Sequence, residues 1–368
     1  MKVALVHDYL NQYGGAERVL EALCSLFPGA PIYTLFYDAA ATGYAFEGHD
    51  IRTSFLQRVP FARSHHRYFP MLMPIAIEQF DFSQFDLVIS SSASYAKGII
   101  TGPGTKHICY CHTPTRYAWT DLDTKAQRLG YPKIIHSLIP LLMPYIRVWD
   151  KQSSARPDVF LANSNFVKKR IAKYYRREAE VVYPPLNFSF FSIQQPQDYY
   201  LMIGRIVPYK RFDIAIQACA NLGLKLKVIG DGPQRKRLQR LAGRNTEFLG
   251  LVSEEKLPYY YSHARALIFP QEEDFGISAL ESMASGRPVI AYRAGGALEY
   301  IKEESNGVFF DEQTPESLAG AIGRFEEMAF NPSVIRQSVE KYDVRHFIAK
   351  MEEVVKKQNF KIQMSNYK

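Results

Sequence analysis

Short β-branched and aromatic runs alternate along the chain with stretches of helical period. Residues 2–7 predict a strand, and residues 16–27 carry Val19, Leu20, Leu23, Leu26 and Phe27 on one stripe, an amphipathic helix. Further buried strands are predicted at 32–36, 87–89, 107–111, 159–161 and 181–183. The second half repeats the rhythm, with strands at 199–203, 224–229, 266–269, 288–292 and 308–310. Phe212, Ala215, Ile216, Cys219 and Leu222 recur at helical spacing between the first two of these. Strands that are apolar throughout and separated by helices imply parallel sheets covered on both faces. The pattern predicts an α/β protein of two doubly wound, Rossmann-like domains facing a central cleft. Ligands in such sheets bind at the carboxyl ends of the strands.

The halves part after Tyr183-Pro184-Pro185, where a polar stretch runs to Asp198. The expected domains are residues 1–184 and 199–344, joined by a linker at 185–198. The 368 residues are 47% hydrophobic with no low-complexity stretch, which excludes a disordered, fibrous or disulfide-stapled protein. Lys+Arg number 45 against 37 Asp+Glu, and residues 1–184 hold 21 of the former and 15 of the latter. The positive excess therefore belongs to the first half. Cys24, Cys109, Cys111 and Cys219 form no ligand set and read as reduced structural thiols of a cytoplasmic protein. The chain opens on a strand and not on a leader, and its longest apolar run, 134–149, is broken by His136, Pro140, Pro144 and Arg147. That run falls short of the ~18 residues that span a bilayer. Neither export nor a membrane crossing is expected.

Four local features matter for chemistry, and each alone is weak. Gly14-Gly15 lies between the first strand and its helix, where bare backbone can approach an anion. Taken alone, the pair is explained more simply by a plain tight turn. Gly204-Arg205 and Lys210 follow the first strand of the second half; a guanidinium fork and an ammonium there suit a diphosphate. Glu273 and Glu281 flank Phe275, Gly276 and Ile277 with seven residues between them. A helix beginning at Gly276 would present amides to a phosphate, with one carboxylate toward each of its substituents. His112 ends the strand before Thr113-Pro114; a lone histidine is more often structural, but one at the carboxyl end of a parallel strand is better than average as a site residue.

Taken in order across two α/β halves, Gly14-Gly15, His112, Arg205 with Lys210, and the Glu273/Glu281 spacing resemble the retaining glycosyltransferases of family 4, of GT-B fold. The likeness is most specific from Pro270 to Ala291, and departs at Asp274, where the family has Gly or Pro. Residues 110–119, Tyr-Cys-His-Thr-Pro-Thr-Arg-Tyr-Ala-Trp, further resemble bacterial mannosyltransferases that use GDP-mannose to build O-antigen or exopolysaccharide. The resemblance implies a hexosyltransferase with no metal or other cofactor. Arg205, Lys210 and the amides at Gly276-Ile277 would hold the donor diphosphate, with Gly204 and Gly230 lining the pocket. Glu273 would hold the transferred sugar, Glu281 the ribose, and Val252 the base. His112 would reach the sugar's C6 hydroxyl and Gly15 the donor as the cleft closes. It also implies that the last helix, at 345–368, packs back on the first domain; Phe347, Met351, Val354 and Val355 share one stripe.

Other readings fit less well. An Asp-x-Asp metal grip exists only as Asp121-Leu122-Asp123, which reads more simply as an acidic helix start. A glycoside hydrolase would use two carboxylates but not Arg205 and Lys210. Gly230-Asp231-Gly232 is not followed by the spacing of a dinucleotide oxidoreductase. UDP- or ADP-sugar donors, a nucleotide-sugar epimerase of the same fold and a catalytically silent binder remain open. Basic clusters at 168–177 and 235–244 read as solvated helix faces and not as nucleic-acid sites. Arg63, His65, His66 and Arg67 beside residues 68–73 suggest contact with an anionic membrane, as a polyprenyl-diphosphate-linked glycan acceptor would require. A location in the cytoplasm, on the inner face of the plasma membrane, follows from that reading.

Overall fold

The computed structural model describes residues 1–63, 69–120 and 133–358, without the side chains of 133–140. The chain forms two compact units: Met1–Pro185 with the C-terminal stretch from Arg345, and Leu186–Val344. The first is built on a parallel sheet of β1 (Val3–His7), β2 (Ile32–Thr34), β3 (Ile51–Thr53), β4 (Leu87–Ser92), β5 (Lys106–Cys111), β6 (Val159–Ala162) and β7 (Glu180–Val181). Their order is β3-β2-β1-β4-β5-β6-β7. The second sheet holds β8 (Tyr200–Ile203), β9 (Leu226–Ile229), β10 (Thr246–Gly250), β11 (Leu267–Phe269), β12 (Val289–Tyr292) and β13 (Gly307–Phe310), in the order β10-β9-β8-β11-β12-β13. Every strand pair is parallel. Each sheet is thus doubly wound and reverses direction once, between β1 and β4 and between β8 and β11.

Two strands are absent from the sequence pattern, β3 and β10, and both are edge strands. Their residues are mostly half-buried, with Arg52 and Glu247 exposed, so the apolar run that marks a central strand is missing. The central strands bury both faces: Ala4, Leu5, Val6, Val88, Ile89 and Ile108 are fully enclosed. Each such Leu, Ile or Val contributes about 1.5–3 kcal/mol by leaving water. The register sets side chains beside one another, with His7 opposite Ser91, and Ser91 opposite Tyr110.

Residues 186–198, expected as linker, lie in the second unit. Leu186 is buried, donates to the Tyr342 carbonyl at 3.0 Å and accepts from Val344 N–H at 2.9 Å. Residues 192–198 are exposed. The helix Val344–Lys357 sets the Phe347 ring 5.8 Å from that of Tyr110, and Lys350 pairs with Glu180 at 2.6 Å. Residues 359–368 of the expected last helix lie outside the described residues. The apolar run 134–149 falls in the helix Lys133–Ser153, and among the described residues no helix is long and apolar enough to cross a membrane. All four cysteines are buried and free, and burial pushes the Cys109 thiol up to about 12.

Candidate active site

In the second unit the loops leaving β8 and β11 meet where the winding reverses. Lys210, in the turn Pro208–Lys210, forms an ion pair with Glu273, in the loop after β11. Both side chains are 15% exposed, so the pair is mostly withdrawn from water yet reachable. A Cβ at Gly204 would lie 3.7 Å from Lys210 Nζ, so the ammonium rests against bare backbone. Arg205, next in the chain, is exposed.

Glu273 is held from behind. Its carbonyl accepts from Gly296 N–H at 2.9 Å. Three residues on, Gly276 opens the helix Ile277–Ala284 with a φ of 96°. A side chain there would be strained and would meet Phe269 and Tyr300 at 2.6 and 2.8 Å, so only glycine fits. The Tyr300 hydroxyl donates to the Phe275 carbonyl at 2.8 Å, and the buried Phe275 ring packs on Tyr300 and Tyr342. The helix thus starts four residues after a carboxylate that pairs with an ammonium, a setting suited to an anion carrying hydroxyls. Glu281, in the fifth position of the helix and 5% exposed, accepts a hydrogen bond from the Tyr261 hydroxyl at 2.6 Å.

Gly230 joins this site through backbone. Its φ is 132°, and a Cβ there would run into the Gly204 carbonyl oxygen, so the ends of β8 and β9 close on each other only with glycine present. Gly204 N–H donates to the Ile229 carbonyl at 3.0 Å and Ile206 N–H to that of Asp231 at 2.8 Å. Val252, partly buried, follows the edge strand β10, two strands from β8. A cavity of about 430 Å³ lies by β9, lined by Asp231, Gly232, Pro233, Arg235, Lys236 and Gln239. The structure thus gathers Gly204, Lys210, Glu273, Gly276 and Gly230 at one switch point, with Phe275 and Ile277 as its frame.

The first unit has a cluster at its own switch point. Asp8, just past β1, accepts hydrogen bonds from four backbone N–H groups, those of Ala93, Ser94, Tyr95 and Ala96, at 2.6–2.8 Å. That carboxylate holds the loop after β4. Beside it His7 Nδ1 lies 3.0 Å from Ser91 Oγ, and Ser91 Oγ lies 2.7 Å from His112 Nε2. His7 Nε2 stands 3.5 Å from Glu17 Oε1. His112 N–H donates to the Ser92 carbonyl at 2.8 Å, and Asn163 donates to the His112 carbonyl at 2.9 Å. Burial, and next the neighbouring His7, lower the His112 imidazole to about 3, so it is neutral at pH 7. Gly14 precedes the helix Gly15–Leu26, and a Cβ on it would lie 3.4 Å from Glu17 Oε2. Gly14, Gly15 and His112 therefore border one polar cluster.

Other expectations change on inspection. In the stretch 110–119 several side chains serve the interior. The buried Tyr110 hydroxyl donates to the Val182 carbonyl at 2.8 Å. Thr115 Oγ1 and Trp119 Nε1 each donate to Asp150 at 2.6 Å, and Asp150 pairs with the buried Lys97 at 2.5 Å. Of the expected membrane segment, residues 64–68 lie outside the described residues, Met73 is buried in the core, and Phe69 and Met71 are partly buried against it. Arg177, read as part of a solvated face, binds the carbonyls of Ser154, Ala155 and Pro157. Asp121 and Asp123 lie outside the described residues; among those described, no three His, Cys, Asp or Glu side chains come together as a metal site.

Asp8, His7, Glu17, Ser91, Tyr261 and Tyr300 escape the sequence pattern. Two signals could have found the first cluster: the polar pair His7-Asp8 closing an apolar strand, and Ser90-Ser91-Ser92 inside a buried one.

Residues 13–190 match the family described as Glycosyltransferase Family 4, and residues 186–342 the one described as Glycosyl transferases group 1. The chain belongs to the group 1, family 4 glycosyltransferases. An uncharacterized glycosyltransferase of Methanocaldococcus jannaschii is 28% identical over 181 residues, 48% of this chain and 52% of that protein. A D-inositol 3-phosphate glycosyltransferase of Acidothermus cellulolyticus is 31% identical over 160 residues, 38% of this chain and 36% of that protein. The chain spans about half or less of the curated relatives it matches. Among solved structures, Anabaena HepE in complex with UDP superposes with a TM-score of 0.71 at 16% identity, covering 97% of this chain and 100% of that one. Sucrose-phosphate synthase from Thermosynechococcus elongatus gives 0.71 at 15% identity, over 98% and 99%. At such identity the likeness speaks for the fold: this glycosyltransferase has the two Rossmann-like domains of GT-B enzymes.

Proposed function

We propose that the protein is a retaining, metal-independent hexosyltransferase that moves mannose from GDP-mannose to a sugar hydroxyl of a glycan carried on a polyprenyl diphosphate. The observation that carries this reading is the Lys210–Glu273 pair at the switch point between β8 and β11, beside the helix that Gly276 opens. A cation, helix-start amides and a carboxylate answer the two parts of a nucleotide sugar, its diphosphate and its hydroxyls. In the step proposed, the bond from the sugar C1 to the diphosphate oxygen breaks as the acceptor oxygen bonds C1 on the same face. The acceptor's proton passes to a diphosphate oxygen. Lys210, Arg205 and the amides at Gly276-Ile277 stabilise the charge that grows on the leaving diphosphate. Glu273 orients the transferred sugar, Glu281 the ribose, and His112 the C6 hydroxyl; Val252 contacts the base, and Gly14 and Gly15 leave room for the donor.

The guanine base and mannose rest on the resemblance of the stretch around His112. Tyr110, Thr115 and Trp119 have structural roles, and His112 is the residue of that stretch assigned to the donor. The competing donor is UDP-glucose, with which Anabaena HepE was solved. A lipid-linked acceptor fits the positive first half and a cytoplasmic site on an anionic membrane. On the helix Lys133–Ser153, Leu141, Tyr145 and Val148 are exposed on one face at 74, 50 and 56%, a surface such a membrane would cover. Transfer from GDP-mannose to a synthetic polyprenyl-diphosphate glycan, with the product's anomeric configuration read by NMR, tests the proposal. Activity retained in EDTA and an α-linked product support it. Loss in EDTA with rescue by Mg²⁺ overturns the metal-free mechanism and returns attention to Asp121 and Asp123.

A further inference from the structure

Four side chains of the first unit form a continuous polar line: Glu17, His7, Ser91 and His112. Glu17 is 1% exposed, His7 3% and Ser91 fully buried. The contacts run 3.5 Å from Glu17 Oε1 to His7 Nε2, 3.0 Å from His7 Nδ1 to Ser91 Oγ, and 2.7 Å from Ser91 Oγ to His112 Nε2. The sheet fixes them, since β1 and β4 are paired with His7 opposite Ser91, and β5 carries His112 just past its end. Glu17 Oε1 also lies 3.5 Å from Gln12 Nε2, while Oε2 is buried without a hydrogen-bond partner. Oε1 thus faces both Gln12 and His7.

Counting hydrogens along the line gives its direction. Where His7 carries a single N–H, the facing Glu17 carboxyl group draws it to Nε2. His7 Nδ1 is then a lone pair, and the single hydroxyl proton of Ser91 must point at it. Ser91 Oγ is left as an acceptor for His112, which places the proton of that ring on Nε2. For a singly protonated His7 the opposite order would set two lone pairs against each other at 3.0 Å, or a lone pair of His7 against Glu17.

We propose that His7 carries a single proton and that Glu17, His7 and Ser91 are positioning residues that hold His112 in its Nε2–H tautomer, so that Nδ1 is offered as a hydrogen-bond acceptor to a ligand hydroxyl. Burial keeps His112 neutral at pH 7, so the ring has one tautomer to choose and no charge. The inference rests on the function proposed above only in giving Nδ1 a ligand hydroxyl. The tautomer itself is a property of the protein alone.

The test is long-range ¹H–¹⁵N correlation of the imidazoles in the full chain at pH 7 without nucleotide, the His112 signals being identified by their loss in His112→Asn. The expected result is a protonated Nε2 and an unprotonated Nδ1 in the wild type. Glu17→Gln removes the charge and can donate to His7 Nε2, which reverses every link; His112 should move to the Nδ1–H form. Ser91→Ala cuts the line without touching Glu17 and should leave the two tautomers mixed. Transfer should fall about tenfold in Glu17→Gln, the worth of one misdirected hydrogen bond. A wild-type ring protonated on Nδ1, or a tautomer unmoved in both variants, overturns the proposal. Failure of nucleotides to bind a protein that shows the expected tautomer would overturn the transferase reading and leave the relay standing.

Discussion

Lys210 and Glu273 form an ion pair across the two strands at which the second sheet reverses its winding. One residue follows β8 and the other β11, neighbours in the sheet but far apart in sequence. The pair is what a parallel, doubly wound sheet delivers at its switch point: side chains from two loops converging outside the carboxyl ends of adjacent strands. Without ligand each neutralises the other. A diphosphate would share the ammonium, and sugar hydroxyls would take up the carboxylate.

Lys210→Ala should lower sugar transfer about a hundred- to thousandfold, the cost of one preorganised charge on a developing oxyanion. Glu273→Gln keeps the shape and should lower transfer with little change in nucleotide affinity, because Glu273 is assigned the sugar. Steady-state kinetics with nucleotide titration separates the two. Unchanged transfer in either variant would remove the pair from the site.

Tyr261→Phe deletes the hydroxyl that donates to Glu281 Oε2 at 2.6 Å. A single hydrogen bond to a carboxylate is worth about 1.5–3 kcal/mol. Nucleotide affinity should fall roughly tenfold or more, with the rate at saturation kept, since Glu281 is assigned the ribose and not the reacting carbon. A matching fall in maximal rate would place Glu281 elsewhere.

Asp8→Ala should cost about 3 kcal/mol or more of stability, because four backbone N–H groups of residues 93–96 lose their acceptor. Urea unfolding measures this. Gly276→Ala should be destabilising for a different reason, a left-handed φ and contacts of 2.6 and 2.8 Å, and should reduce donor binding by moving Glu273. Either variant with wild-type stability would contradict the packing described.

Acid should loosen the first unit. Burial lowers His112 and the fully buried His107 to about 3 each. Unfolded histidines take up a proton near 6.5, so between about 6.5 and 3 the unfolded chain binds more protons and stability falls with pH. From pH 7 to pH 5 each ring should account for about 2 kcal/mol. His107→Gln should remove its share of that slope. Stability that stays level over this interval would show that the rings are charged in the folded protein.

The central strands were legible because apolar residues fill both faces of a covered parallel sheet, as in 87–89 and 266–269. The edge strands β3 and β10 were not, since half-exposed positions such as Arg52 and Glu247 break the run. Lys210, Glu273 and Gly276 stood out because charges and a glycine at strand ends have few structural uses. Glu17 and Asp8 were hidden for the converse reason. An acid in a first helical turn, or after a strand, reads as an ordinary helix-end or turn residue. Only the fold shows that Glu17 is buried against His7 and that Asp8 gathers four amides. Within 110–119, a motif that reads as specificity proves partly to be the core around Asp150.

The most direct test of the donor site is calorimetric titration of the purified protein with GDP, UDP, ADP and GDP-mannose, without added metal. Tight, GDP-selective binding that disappears in Arg205→Ala is the predicted result. Selectivity for UDP would overturn the guanine donor, and no binding of any nucleotide by a folded, monodisperse sample would contradict the donor site as a whole.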